Sequence, residues 1–238
     1  PRSDWVFHLA GLAAVAPSLE EPAAYMRVNV QGTANVLEAA RRAGVTRVIY
    51  AASGTYYGAD GSHPCPETMA PGSLTPYAWS KWLGEQLCTM YTQVYGLSTV
   101  ALRLFNPYGP GMSRANRMGE WLDMRRAGAI ITVSGSPDQS RDYCYIDDVV
   151  HAFIVAAYAD ATGPINIGSG QPVKIRDVVA RLGPHEFRDA GWQAPGTWAD
   201  VSKAKRVLGW EPTVSWEEGM RRLLEAEDRI VITAGTRP

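Results

Sequence analysis

The chain has 238 residues, of which 46% are hydrophobic and 20% charged, with a formal net charge of -1. That balance is ordinary for a globular α/β protein, and it excludes an electrostatic footprint for nucleic acid or an acidic membrane surface. No apolar run approaches the roughly 20 residues that cross a bilayer.

The length suits one large domain, or a domain with a smaller appendage. The opening residues carry no basic-then-apolar signal pattern. Cys65, Cys88 and Cys144 are too few and too scattered for a disulfide framework or a zinc site. Reduced thiols in a cytoplasmic protein are the expectation.

Val6–Ala10 is a short apolar run ending at Gly11, which predicts a strand buried on both faces. Pro22 opens a helix, because its missing N–H is harmless in the first turn. Met26, Val30, Ala34, Leu37 and Ala40 recur at helical spacing, and Gly44 supplies the stop. Arg47–Ala52 is the next strand, running into Ser53 and then a loop rich in Gly and Pro to about Ser73. Thr75-Pro76 starts a second long helix, with Leu83, Leu87, Met90 and Val94 on one face and Gly96 as terminator. Ser98–Phe105 reads as a strand, with Leu102 and Leu104 alternating around Arg103.

The order strand, helix, strand, helix, strand implies crossover connections and a parallel sheet. It is the second half of a doubly wound α/β fold. Beyond Phe105, Asn106–Gly111 reads as a loop, Ala115–Ala127 as a helix and Ile130–Val133 as a strand. Asp147–Ala159 is an apolar helix, Pro164–Gly168 a strand and Ile175–Leu182 a helix. An irregular stretch to about Thr197 precedes closing helices near Ser202–Leu208 and Ser215–Asp228. Such a sheet ordinarily opens with a strand, a Gly-rich turn and a helix whose N-terminus holds a pyrophosphate. Nothing before Val6 supplies them, so an N-terminally incomplete sheet with an open edge is expected.

Tyr77-Ala78-Trp79-Ser80-Lys81 places a phenol and an amine four residues apart, on one face of a helix. A tyrosine with a pKa of ~10 is a poor base at neutral pH, and a nearby ammonium would favour its phenolate. In isolation the pattern describes a solvated helical pair equally well. Ser53, however, ends the preceding strand, and ligands of parallel sheets collect beyond the carboxyl ends of the strands. A hydroxyl there can bond the same substrate oxygen as Tyr77. Asn29 is a poor helical choice beside Gly32, which fits a helix-bending or exposed residue and a functional one equally well. His8, within a strand, reads as a packed core histidine.

The ordered landmarks Val6–Gly11, Asn29-Val30-Gln31-Gly32-Thr33, Ser53 with Tyr57-Gly58, and Tyr77-x-x-x-Lys81 resemble those of the extended short-chain dehydrogenase/reductases. So do Arg103–Pro110, Arg141-Asp142-Tyr143, Asp147-Asp148-Val149, Asn166–Gly170 and Leu208-Gly209-Trp210. The resemblance covers nearly the whole chain and is closest to the UDP-glucose and UDP-glucuronate 4-epimerases. It implies a Rossmann-like dinucleotide-binding domain over 1–105 plus 147–168, and a smaller α/β substrate domain over 106–146 plus 169–238.

It also implies roles. Ser53, Tyr77 and Lys81 match the catalytic triad. Leu9, Ala10, Gly11, Asn29, Ala51, Ala52 and Phe105, with Tyr77 and Lys81, match positions lining NAD. Ser53, Tyr77, Asn106, Asn116 and Arg141 match positions that hold a nucleotide sugar, a UDP-sugar in the closest relatives. No metal is implied. Related dehydratases carry an acidic pair where this chain has Gly54-Thr55, so a 4-epimerase working through a 4-keto sugar is expected. A dehydratase, a reductase or an inactive remnant are the alternatives. The resemblance further implies a homodimer in which Pro22–Ala43 and Pro76–Tyr95 pack as a four-helix bundle across a two-fold axis.

Overall fold

The computed structural model describes residues 3–58, 64–73, 75–189 and 196–235, with side chains described as far as residue 229. The chain begins with β1 (Trp5–His8), α1 (Val15–Glu20) and α2 (Pro22–Tyr25). A π-helical turn, Met26–Gln31, then leads into α3 (Gly32–Ala43). Next come β2 (Arg47–Ser53), a 3₁₀ turn (Gly54–Tyr57), α4 (Pro76–Tyr95) and β3 (Ser98–Leu104). The second part runs through β4 (Pro107–Tyr108), α5 (Arg117–Arg126), β5 (Ile131–Ser134), β6 (Ser140–Asp142) and β7 (Cys144–Tyr145). It continues with α6 (Ile146–Tyr158), β8 (Gly163–Ile167), β9 (Pro172–Lys174), α7 (Ile175–Leu182) and β10 (His185–Arg188). The last elements are β11 (Gly196–Thr197), α8 (Ser202–Leu208) and α9 (Trp216–Gly235).

The main sheet has the order β1-β2-β3-β8 and is parallel throughout. Every residue of β2 is buried, because alternate side chains serve opposite layers. Ile49 and Ala51 join Val100, Leu102, Ile165 and Ile167 against α6 and α8. Val48, Tyr50 and Ala52 face Leu37 and Ala40 of α3 and Cys88 and Tyr91 of α4. Gly84 is what lets α4 lie this close: a Cβ there would collide with the Tyr50 hydroxyl. A separate core gathers Tyr108, Trp121, Leu122, Ile131, Val179, Leu182 and Leu223 around α5, α7 and α9. The three cysteines are buried in different clusters. No described helix is long and apolar enough to cross a membrane.

Several expectations need correction. β1 is buried on one face only: His8 is buried, while Phe7 and, just beyond the strand, Leu9 are exposed. It is an edge strand of the described sheet, and α6 meets it through a tilted Phe7–Phe153 contact and an edge-on Trp5–Tyr158 contact. The helix expected from Pro22 is interrupted by the π-helical turn, and Val15–Glu20 forms a helix of its own. The stretch after Leu182 is not irregular throughout, since β10 pairs in parallel with β5. Within the supposed 106–111 loop, β4 pairs with β7. These strands of two to four residues are too short to register as a periodicity.

The largest correction concerns α4. Its buried residues are Ala78, Ser80, Lys81, Gly84, Glu85, Cys88 and Tyr91, whereas Val94 is exposed and Leu83 only partly covered. The side of the helix against the sheet is made largely of small and ionisable residues; of the expected stripe, Leu87 and Met90 pack against the core while Val94 turns outward.

Asp148, at the start of α6, ties this helix to the segment before α9. Its carboxylate accepts Thr213 N (3.0 Å), Thr213 Oγ1 (2.7 Å) and Val214 N (3.0 Å). Its carbonyl takes the Trp210 indole N–H at 3.0 Å. Asp148→Ala strands three donors and should cost about 2–4 kcal/mol. Denaturant unfolding measures this, and a loss under about 0.5 kcal/mol would show the clasp to be dispensable.

Candidate active site

Ser53 closes β2 at the carboxyl edge of the sheet, in extended conformation, and caps the 3₁₀ turn that follows. Its Oγ accepts Thr55 N at 3.2 Å and shares a 2.7 Å hydrogen bond with Thr55 Oγ1. The turn passes directly over Phe105: a Cβ on Gly54 would lie 2.7–2.8 Å from that ring. Thr75 caps α4 by accepting Ala78 N at 3.3 Å, and Pro76 occupies its first turn. Tyr77 therefore emerges at the mouth of the helix, half-buried, with its ring edge-on to Tyr25 at 6.3 Å.

One turn later Lys81 is 5% exposed. Its Nζ donates to the Ala51 carbonyl at 3.0 Å and lies 5.2 Å from the centre of the Tyr50 ring. No carboxylate pairs with it among the described residues. Among the described residues the Ala51 carbonyl is its one hydrogen-bond acceptor, leaving donors suited to the vicinal hydroxyls of a ribose.

Burial pushes the Lys81 ammonium down to about 8. Tyr77 moves the other way. Desolvation raises its phenol above the usual value, and the hydrogen-bonding Ser53 hydroxyl offsets part of the rise. Some of the Tyr77 surface still meets solvent, but enough protein surrounds it for desolvation to dominate. Of the two positive charges that could favour the phenolate, the Lys81 ammonium and an oxidised nicotinamide, the first is not among the groups that act on Tyr77. In this chain the ammonium is directed at a carbonyl and an aromatic face, and the group acting on Tyr77 is Ser53.

His8 is a packed core residue, as expected. Its Nε2 lies 2.9 Å from Thr33 Oγ1, and burial followed by the Lys81 charge lowers its pKa. Thr33 in turn donates to the Asn29 carbonyl at 2.6 Å. Asn29 is neither exposed nor merely helix-bending. It is 1% exposed inside the π-helical turn. Its Oδ1 accepts Leu12 N at 2.8 Å, and its Nδ2 donates to Leu12 O at 3.0 Å and Ser80 Oγ at 2.8 Å. Its amide is engaged with protein, and it anchors the segment after β1 onto α4. Gly11 lies in the angle so formed, where a Cβ would come 3.0 Å from Asn29 Oδ1 and 3.2 Å from Lys81 Nζ.

Leu9, Ala10 and Gly11 are exposed, with Gly11 beside Lys81, whereas Ala51, Ala52 and Phe105 are buried. Of those three, the Ala51 carbonyl reaches the site through Lys81. Asn106 holds a positive φ of 31° and donates to the Asp142 carbonyl at 2.6 Å. The neighbouring Arg141 is half-buried, donates to Ser140 O at 2.8 Å and has no carboxylate partner among the described residues. A guanidinium so placed suits a phosphate. Asn116 instead caps α5, accepting Gly119 N at 2.9 Å.

Sequence reasoning missed the side chains that hold these groups in place. Asp142 accepts Ser169 N, Ser169 Oγ, Gly170 N and Ala199 N at 2.6–3.0 Å, fixing the strand that carries Arg141. Arg103 and Glu85 form a buried ion pair at 2.6 Å. A charged residue within a central parallel strand, as Arg103 is, was the available signal.

The NAD dependent epimerase/dehydratase family matches residues 1–168, and the chain belongs to it. A UDP-glucuronate 4-epimerase of Thermodesulfobacterium geofontis is 34% identical, over 91% of this chain and 70% of its own length. A UDP-glucose 4-epimerase of Thermotoga maritima, solved with UDP-glucose, superposes with a TM-score of 0.89 at 31% identity. That match covers 96% of this chain and 78% of the other. A UDP-glucuronic acid 4-epimerase of Bacillus cereus, solved with UDP-glucuronic acid and NAD, gives 0.87 at 28% identity, covering 95% and 76%.

The buried ammonium has a measurable signature. Between about pH 8 and the ordinary lysine value of 10.5, the unfolded chain holds a proton on Lys81 that the folded chain has released. The burial penalty is therefore full below pH 8 and gone above 10.5. Stability of the parent should climb relative to Lys81→Met across that window, by on the order of 3 kcal/mol. Unfolding at a series of pH values from 7 to 11 measures it, and parallel curves would mean that Lys81 is not held dry.

Proposed function

We propose that the chain is an NAD-dependent nucleotide-sugar 4-epimerase taking a UDP-sugar of the glucose or glucuronate type. The observation that carries this reading is the placing of Ser53 at the end of β2, where its hydroxyl acts on Tyr77 at the start of α4, with Lys81 one helical turn behind and bonded to the Ala51 carbonyl. The 4-epimerase relatives support the substrate class. Gly54-Thr55 supports epimerisation over dehydration, because no acidic pair stands beside Ser53 to expel water.

Tyr77 takes the proton of the sugar 4-hydroxyl as general base and later returns it. Ser53 holds the same oxygen and steadies Tyr77 in the state that accepts the proton. Lys81, with donors to spare, and the exposed Leu9–Gly11 segment would hold the nicotinamide ribose. The oxidised nicotinamide supplies a reversible hydride acceptor for C4 and a positive charge that further favours the Tyr77 phenolate. Arg141 and Asn106 grip the diphosphate, so that the 4-keto sugar can turn its other face about that anchor.

In this reading residues 1–105 with 147–168 carry the dinucleotide, and 106–146 with 169–238 carry the nucleotide sugar. Exposed Val28, Val94 and Tyr95 on the helical segments 22–43 and 76–95 support a homodimer through those helices. Free, buried cysteines in separate clusters suit a cytoplasmic setting.

Incubation with UDP-glucose, UDP-glucuronate and their 4-epimers should interconvert at least one pair without accumulating a keto sugar. Tyr77→Phe should lower kcat about 10²–10⁴-fold. A stable keto product, or no interconversion by protein that carries nicotinamide, would overturn the assignment.

A further inference from the structure

A second buried cation stands beside this site and takes no part in the chemistry above. Arg103 lies in β3 with its side chain 3% exposed, and Glu85, its partner on α4, is 4% exposed. Its Nε and Nη2 donate to the two oxygens of Glu85 at 2.8 and 2.6 Å. Nη1 donates to the Tyr57 hydroxyl at 2.6 Å and to the Glu67 carbonyl at 3.2 Å. The guanidinium carbon sits 4.3 Å from the ring centre of Tyr56 and 5.1 Å from that of Tyr57.

The two ends of this fork hold different parts of the site. Glu85 is one turn beyond Lys81 and two beyond Tyr77, among the buried residues of α4. Tyr57 ends the 3₁₀ turn that Ser53 begins. The Tyr57 ring stacks on Phe105 at 5.8 Å, and its hydroxyl donates to Asn166 Oδ1 at 2.7 Å. Arg103 therefore bonds both the helix that bears Tyr77 and Lys81 and the turn that bears Ser53. We propose that Arg103, acting through Glu85 and Tyr57, is a positioning residue that sets the spacing between the Ser53 hydroxyl and the Tyr77–Lys81 face of α4.

Stability alone gives no reason to keep such a group. A buried ion pair loses most of its Coulombic gain to desolvation, and apolar replacements of similar volume are often as stable or more so. What a planar five-donor fork supplies is direction: a bidentate grip fixes the angle of Glu85, and the remaining nitrogen fixes Tyr57. Direction is what two hydroxyls sharing one sugar oxygen require, since a misplacement of about 1 Å can cost on the order of 100-fold in rate. The consequence for rate rests on the 4-epimerase reading; the spacing itself does not.

Tyr57→Phe keeps the ring and removes the hydroxyl that joins the turn to the fork. In kinetics of the parent, Tyr57→Phe, Ser53→Ala and the double variant, Tyr57→Phe should lower kcat about 10–100-fold with KM nearly unchanged. In the Ser53→Ala background the same change should alter kcat less than about twofold, since no hydroxyl remains to be positioned. Arg103→Lys, which keeps charge but loses the fork, should show the same pattern. Equal losses in both backgrounds would make the network general scaffolding and overturn the proposal.

A second readout needs no turnover. The ultraviolet titration of Tyr77, isolated as the difference between each protein and its Tyr77→Phe counterpart, should move upward alike in Tyr57→Phe and Ser53→Ala. A Tyr77 titration unmoved by Tyr57→Phe would also overturn the proposal. Should the parent fail to epimerise, the functional reading falls while this titration still decides the positioning claim.

Discussion

Lys81 keeps an amine almost out of water with one carbonyl, that of Ala51, as its hydrogen-bond acceptor. A lone buried ammonium is costly, and the cost appears as a proton held less firmly than in solvent. The surrounding architecture follows from accommodating it. β2 must end where its Ala51 carbonyl can receive the amine. Tyr50 must present its ring, and α4 must lie close enough for the reach, which Gly84 permits. His8, under the same charge and equally buried, is held toward its neutral form, so that two cations do not share one dry space.

Around that centre the molecule is arranged as two clamps. On one side Asn29, freed from regular helical geometry by the π-helical turn, grips both backbone groups of Leu12 and sets Gly11 beside the amine. π-Helical turns recur at functional sites, and here the turn provides a buried amide aimed across to another segment. On the other side Asp142 gathers four donors from the segments after β8 and before α8, and its own carbonyl holds Asn106. Arg141 is thereby presented without a competing carboxylate. Between the two clamps stand Ser53 at the sheet edge and Tyr77 at the start of α4.

What the sequence disclosed follows from how local each signal is. Tyr77 and Lys81 announce themselves through helical spacing, and Ser53 through its place at a strand end, because those relations span only a few residues. The buried face of α4 was misread, since an apolar stripe ordinarily marks the core side of a helix. Here the core side must accommodate an amine and a carboxylate, so Leu87 and Met90 only flank it and Val94 is left outside. Arg103 with Glu85, Tyr57 with Asn166 and Asp142 with Ser169 unite residues 18, 109 and 27 positions apart. No periodicity encodes such pairings; they exist only once the sheet has formed. The short strands β4, β7 and β11 owe their conformation to partners elsewhere in the chain, so their local sequence carried no trace of it.

The central claim is that Ser53 and Tyr77 meet on one sugar oxygen. A crystal structure of the protein with UDP-glucuronate or UDP-glucose bound would test it most directly. The account predicts the sugar 4-oxygen within about 2.6–3.2 Å of both Tyr77 Oη and Ser53 Oγ, with the diphosphate against Arg141. A nucleotide sugar seated with its ring away from these two hydroxyls, or with a different ring oxygen between them, would contradict it.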